Sequence, residues 1–411
     1  MRVAAIIAEY NPFHKGHRYL IKKTREVTGA DYIIAVMSGD FTQRGTPAIA
    51  DKYLRAQMAL QNGVDLVVEL PVHYACSSAE YFARGAVTLL EKLGVTDLLC
   101  FGSESGEIDK LHTIAKILAE EPEEYREHLK TYMKRGYNYP MARNQALEMV
   151  IPDFVEYEDI IQTPNNILGI EYLKALIQSG SQITPYTVRR MGSGYHDHRL
   201  NVAYSSAISI RHSLLLGNSI ARIVDQVPKN CHPLLFEHAN KSFPIFPDDF
   251  STILKYRLLL EADEGFTGYA DVSQELSDKI KKHLFKMDKM EDFCDLLKTK
   301  ELTHARISRS LGHILLNIRQ EEMDELKANG TVHYARVLGF REESDKLLKK
   351  IKKNTSIPLI TKPADAAKLL DPNGLAQFEK DIEVSHIYEM IAASKFGHPI
   401  RNEYKRQVIK L

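Results

Sequence analysis

Short apolar runs alternate with longer amphipathic stretches through the first hundred residues. Residues 3–8, 32–37, 66–70 and 98–101 are dominated by Val, Ile, Leu, Ala, Met and Phe, the pattern of parallel strands buried on both faces. Between them, residues 16–28, 51–61 and 79–93 repeat apolar positions at helical spacing. Gly29, Gly63 and Gly94 follow these stretches, where a left-handed C-cap favours glycine. Repeated βα units of this length predict right-handed crossovers and a Rossmann-like, doubly wound parallel sheet. In such a sheet the ligand sits beyond the carboxyl ends of the strands, where strand order reverses. Farther along, residues 108–150 and 165–178 read as helical, 183–190 as a strand and 206–216 as another helix.

After Asp225 the texture changes. Pro228, Pro233, Pro244 and Pro247 punctuate a connecting region, long helical patterns then occupy 250–329, and residues 356–361 suit one late strand. The expectation is an α/β nucleotide-binding catalytic domain over 1–225 and a mostly helical domain over 226–411.

Composition narrows the class. The chain has 411 residues, 44% of them hydrophobic, enough for substantial cores. Its 54 Lys and Arg balance 54 Asp and Glu, which excludes a wholly basic nucleic-acid binder but leaves room for a local basic face. Cys76, Cys100, Cys231 and Cys294 show no CxxC spacing and read as free thiols of a reducing compartment. No stretch approaches the ~20 apolar residues of a membrane span, and the first apolar run ends at Glu9, too soon for a signal-peptide core. A cytoplasmic protein with no membrane association is expected, and nothing in the chain calls for an obligate protein partner.

The segment Glu9-Tyr10-Asn11-Pro12-Phe13-His14-Lys15-Gly16-His17 carries the clearest chemistry. A strand ends in a tight turn and a helix opens at Gly16, so free N–H groups and the positive helix end face an anion. His14 and His17, at i and i+3, can point at the same phosphates, where imidazoles donate to charge developing in a transition state. Nucleotidyl transfer needs positioning and charge stabilisation more than a protein nucleophile.

These residues resemble the HxGH nucleotidyltransferases, which include nucleotidylyltransferases and class I aminoacyl-tRNA synthetases. Asn11 stands where the adenylyltransferase form of the motif has aspartate. Beyond the motif, the chain is similar over nearly its whole length to the bacterial tRNA(Met) cytidine acetate ligase family, through residues 8–17, 36–45 (VMSGDFTQRG), 65–71 (DLVVELP), 101–105 (FGSES), 163–169 (TPNNILG) and 205–211 (SSAISIR). The resemblance implies an ATP-dependent ligase that makes acetyl-adenylate and acetylates N4 of the wobble cytidine of elongator tRNA(Met). It implies an ATP cradle over Ile7, Ala8, Glu9, Tyr10, Asn11, Pro12, Phe13, His14, Lys15, Gly16, His17, Arg18, Tyr19 and Leu20. There is no KMSKS sequence of the synthetase kind, so triphosphate contacts have to come from elsewhere.

Residues 205–211 are the best source of those contacts. Ser209 lies near a helix start and Arg211 in its first turn, suited to oxygens of the departing pyrophosphate, although an ordinary N-capped helix would look the same. Gly102 follows a strand on the ligand edge and would let the backbone approach adenosine. The resemblance places one of Asn165 and Asn166, and one of Arg189 and Arg190, at ATP, while a helix cap and surface ion pairs are the plainer alternatives. The loop 37–45 presents Asp40, Gln43 and Arg44, which could hold acetate or the incoming base, with Arg44 pairing the carboxylate. His196-Asp197-His198 lacks a third distant ligand, so no protein metal site is expected, and magnesium would arrive with ATP.

The second half has no catalytic signature but holds basic clusters, among them Lys281 and Lys282, and Arg306 and Arg309. A solvated helix face explains such clusters, and so does contact with tRNA phosphates. Two rival functions stay open on the sequence alone: an adenylyltransferase making a nucleotide cofactor, and an ATP-responsive RNA-binding module.

Overall fold

In a computed structural model, which describes residues 1–191, 204–330 and 332–411, five parallel strands form the centre of one sheet. They are β1 (Val3–Ala8), β2 (Tyr32–Ser38), β3 (Leu66–Leu70), β4 (Leu98–Ser103) and β5 (Thr184–Arg189), in the order β5-β4-β1-β2-β3. β1 pairs with β2 on one side and β4 on the other, so strand order reverses between β1 and β4 and opens a crevice at their carboxyl ends.

Helices cover both faces because both faces of the strands are apolar. Ala5 and Ile7 of β1 pack with α4 (Ala79–Leu93), α5 (Ile108–Glu120) and α8 (Pro164–Ser179). Ile6 packs instead toward α1 (Lys15–Thr28), α2 (Lys52–Leu60) and α9 (Ala207–Leu215). The remaining helices up to α9 are α3 (Val72–Ala75), α6 (Glu123–Lys134) and α7 (Tyr139–Val150).

The late strand expected within 356–361 is present, and the segment after residue 225 adds two more. Its β6 (Ala335–Phe340) adds antiparallel to β3, and β7 (Leu359–Ile360) and β8 (Ile409–Lys410) each pair parallel with β6. The sheet is thus continuous across the expected division at 225. Arg336 inside β6 hid the strand: it lies opposite Glu69 in the register, and its Nη1 is 3.3 Å from Glu69 Oε2. The helices of this segment form a separate apolar cluster around Phe250, Leu254, Leu311 and Ile314, which also takes in Phe41 from the loop after β2. All four cysteines are buried free thiols, and no helix among the described residues is long and apolar enough to cross a membrane.

Candidate active site

The turn after β1 fixes two imidazoles through the backbone itself. His14 is the N-cap of α1; its Nδ1 accepts from Gly16 N–H at 3.0 Å, while His17 Nδ1 accepts from His14 N–H at 3.2 Å. A Cβ on Gly16 would sit 2.8 Å from His14 Cε1, so glycine is needed for that ring to close onto the helix end. The rings stack, with centroids 3.7 Å apart and planes 24° apart. With both Nδ1 atoms occupied as acceptors, each neutral imidazole carries its proton on Nε2.

Electrostatics favours that neutral state. Burial first, then Arg190 and Arg211, push His14 down to about 3. Burial, then His14 and Arg190, hold His17 well below the usual histidine value. The pair therefore presents two Nε2–H donors without two stacked cations. Tyr10, in the left-handed region at φ 50°, props His17 edge-on at 4.9 Å and Phe13 at 4.9 Å.

Both histidines line a cavity of about 340 Å³ at the β1/β4 crevice. Ile7, Ala8, Glu9, Tyr10, Asn11 and Leu20 line it from the β1 side, and Gly102 from β4. An adjoining lobe brings in Gly16, Tyr19 and Arg189. Pro12, Phe13, Lys15 and Arg18 are not on these walls; Pro12 and Phe13 are buried behind the turn and Arg18 is exposed. Asn11 Oδ1 accepts from Ile49 N–H at 2.8 Å, so its side chain braces the turn.

The asparagine and arginine pairs resolve into different duties. Asn165 lines the cavity, donates to Glu104 Oε1 at 2.6 Å and accepts from Arg190 Nη1 at 3.4 Å. Asn166 is buried and accepts from Glu104 and Ser105 N–H at 2.9 and 3.2 Å, which holds the loop after β4. Arg190 reaches both lobes and Arg189 the smaller one. Arg211 lines the cavity and donates to Asn11 carbonyl at 2.6 Å. Ser209 does not reach the wall: it is fully buried behind Ser206, its N–H donating to Ser206 Oγ at 3.1 Å. The segment 196–198 lies outside the described residues.

The loop after β2 divides likewise. Gln43 and Arg44 line the cavity, but Asp40 is buried away from it, accepting from Lys52 N–H at 2.9 Å. Burial pushes Asp40 up to about 6, against the pull of Lys52. A substrate-binding role for Asp40 does not fit this position, because its carboxylate is engaged inside the protein by the Lys52 N–H at the start of α2. Of the basic residues, Lys281 and Lys282 are exposed on the helix Gln274–His283. Arg306 is half-buried on His304–Leu316, and Arg309 Nε pairs with Asp271 at 3.1 Å.

Two supporting groups escaped the sequence reading. Arg55, fully buried, donates to the carbonyls of Ala50, Glu9, Ser38 and Gly39 and so clamps the ends of β1 and β2 together. Lys52 Nζ, also fully buried, lies 2.8 Å from both Glu69 Oε1 and Glu403 Oε1. Two cations at i and i+3 among Tyr53, Leu54, Ala56, Met58 and Leu60 were the available signal.

Known proteins are similar to this chain over nearly its whole length. A family model described as HIGH Nucleotidyl Transferase matches residues 1–402. The tRNA(Met) cytidine acetate ligase of Thermoanaerobacter sp. (strain X514) is 44% identical over 408 residues, 97% of this chain and 99% of that one. That of Clostridium novyi (strain NT) is 40% identical over 394 residues, 96% of each. The crystal structure of Thermotoga maritima TmcAL in its apo state matches at a TM-score of 0.93 and 32% identity, covering 100% of both chains. The same protein bound with alpha-thio ATP matches at 0.90. The chain belongs to the HIGH nucleotidyl transferase family and, within it, to the tRNA(Met) cytidine acetate ligases.

Proposed function

We propose that this chain activates acetate with ATP as acetyl-adenylate and transfers the acetyl group to N4 of the wobble cytidine of elongator tRNA(Met), giving N4-acetylcytidine. The observation that carries the reading is the pair of stacked imidazoles, both with Nδ1 engaged, beside Arg190 and Arg211 on one cavity at the strand-order reversal. Two Nε2–H donors suit the α-phosphate as acetate attacks it and its charge spreads. Arg211 and Arg190 suit the departing pyrophosphate. Magnesium arrives with the nucleotide, held by phosphates and water.

Acetate needs this activation because an exocyclic cytosine amine is a poor nucleophile, whereas a mixed anhydride has AMP as a good leaving group. The exposed Lys281 and Lys282, with Arg306, support tRNA phosphate contact from the 226–411 segment, while the nucleotide residues all fall within 1–225. The test is incubation with ATP, labelled acetate and total tRNA, followed by nucleoside analysis. Labelled N4-acetylcytidine with free AMP is expected. A product that retains AMP would mean a plain adenylyltransferase, and binding of ATP and tRNA without pyrophosphate release would mean an RNA-binding module.

A further inference from the structure

Glu9 is at odds with the charge of its surroundings. The cavity is lined by His14, His17, Arg44, Arg190 and Arg211, and Glu9 is the one acidic side chain on its walls among the described residues. The triphosphate and acetate are both anionic, and a carboxylate beside them repels them. It suits a ligand group that is a proton donor.

Its geometry separates it from the histidine pair. Glu9 Oε1 accepts from Gln43 N–H at 2.9 Å, which ties the carboxylate to the loop after β2. Its main-chain carbonyl accepts from Arg55 Nη1 at 2.6 Å, fixing the strand end beneath it. Oε2 has no partner among the described residues. Phe82, Phe101, Leu168 and Tyr172 line the same cavity, an apolar lining suited to a flat pyrimidine taken out of its stack.

We infer, building on the function proposed above, that Glu9 is the proton acceptor of the transfer step and the residue that selects an amino pyrimidine. The cytosine N4 amine donates to Oε2. N4 attacks the acetyl carbonyl carbon of the adenylate, forming the N4–C bond. The tetrahedral intermediate collapses with cleavage of the bond between that carbon and the phosphate oxygen, AMP leaving with the electron pair. One N4 proton passes to the Glu9 carboxylate and from there to water, so the product amide is neutral. A carbonyl at the same place, as in uracil, would meet the carboxylate lone pairs and be turned away.

The experiment separates the two steps in the full-length enzyme. Acetate-dependent exchange between ATP and labelled pyrophosphate reads the first step; synthetic acetyl-adenylate mixed with tRNA in a single turnover reads the second. Glu9→Gln keeps an oxygen for the Gln43 N–H but is no base. In this variant transfer should fall by roughly 10²–10⁴-fold, the range of general base catalysis, and at least tenfold more than exchange falls. Glu9→Asp, a retracted carboxylate, should restore transfer at least tenfold over Glu9→Gln. Equal losses in both steps would overturn the inference, since they point to Glu9 holding ATP, its magnesium or the loop. Undiminished transfer in Glu9→Gln, or a Glu9→Asp variant no better than Glu9→Gln, would overturn it too. Absence of exchange in the wild-type enzyme would instead overturn the acetate-activating function itself.

Discussion

The histidine turn and the loop after β2 line the same cavity, yet they are held in opposite ways. The turn is local: Gly16 and His17 fix His14, and Tyr10 props His17, all within eight residues of sequence. The loop is held by residues far away in the chain. Phe41 meets Phe250 at 5.4 Å between ring centroids, Ser308 Oγ donates to Arg44 carbonyl at 2.9 Å, and Tyr388 donates to Ala48 carbonyl at 2.9 Å. Behind the loop, Lys52 joins β3 to Ser385 and Glu403. The stacking of the two histidines is therefore set within one segment, and the position of the loop by the whole fold. Variants that treat the two ends differently test this division.

The largest effect should come from the buried lysine. Lys52→Met keeps the apolar stem and removes one cation, leaving Arg336 as the one cation paired with Glu69 and Glu403 among the described residues. Breaking a buried ion pair from one side destabilises by roughly 3–5 kcal/mol, because a charge stays buried without its partner. Urea denaturation should show that loss, whereas a change below about 1 kcal/mol would mean the network contributes nothing to holding the distant segments together.

Next come the histidines, whose removal should spare the fold. His14→Ala and His17→Ala should each lower acetate-dependent pyrophosphate exchange by ~10²–10³-fold, the loss of one preorganised donor. Stability should fall by only about 0.5–2 kcal/mol, the range for a helix cap. Near-normal exchange in a folded variant would remove the imidazoles from the mechanism. The pair also has a pH signature. His14 in the folded protein is pushed down to about 3, below its unfolded value of 6.5, so below pH 6.5 the unfolded chain takes up protons that the folded one does not. Stability present above that pH is lost as pH falls from 6.5 towards 3. Wild type should thus lose more stability than His14→Ala between pH 7 and pH 5.

The same division explains what was legible in the sequence. β1 to β5, the helices between them and the histidine turn follow from local apolar spacing, capping and one motif. Asp40 and Ser209 stand off the cavity wall, which their neighbours in sequence do not reveal: Asp40 meets the Lys52 N–H and Ser209 sits behind Ser206. The choice between Asn165 and Asn166 depends on Glu104, 61 and 62 positions away. β6 escaped because the partners of Arg336, Glu69 across the sheet and Glu403, lie far away in the chain. Pairings at this separation leave no periodic trace along the chain.

A smaller perturbation reaches the loop alone. Gly45 has φ 69°, and a Cβ there would lie 2.6 Å from Arg309 Cα and 3.0 Å from Ser308 carbonyl oxygen. Gly45→Ala should cost about 1–3 kcal/mol in backbone strain and move the loop off the helix His304–Leu316. Acetylation of tRNA should drop more than pyrophosphate exchange does. Equal drops would mean the loop serves both ends of the cavity.

The smallest effect concerns the basic helix proposed to meet tRNA, and the structure decides which residues can report on it. Arg309 is a poor probe, since reversing its charge breaks the pair with Asp271 and disturbs the packing against Gly45. Lys281 and Lys282 are exposed near the end of their helix, where Lys281 Nζ reaches the carbonyl of Asp263 at 3.5 Å. Charge reversal at both should leave stability and pyrophosphate exchange alone, because neither lies on the cavity walls. If they bind phosphates, condensed counterions are released when tRNA binds, and affinity falls with salt. Removing each lysine–phosphate interaction should then flatten the slope of log affinity against log salt by roughly 0.7–0.9. A salt titration of tRNA binding by the double variant reads this directly. Acetylation should fall at physiological salt and partly recover at low salt, where the remaining cations hold phosphate more strongly. An unchanged slope would make this helix a solvated face and move the tRNA site to another part of the surface, leaving the nucleotide end of the cavity untouched.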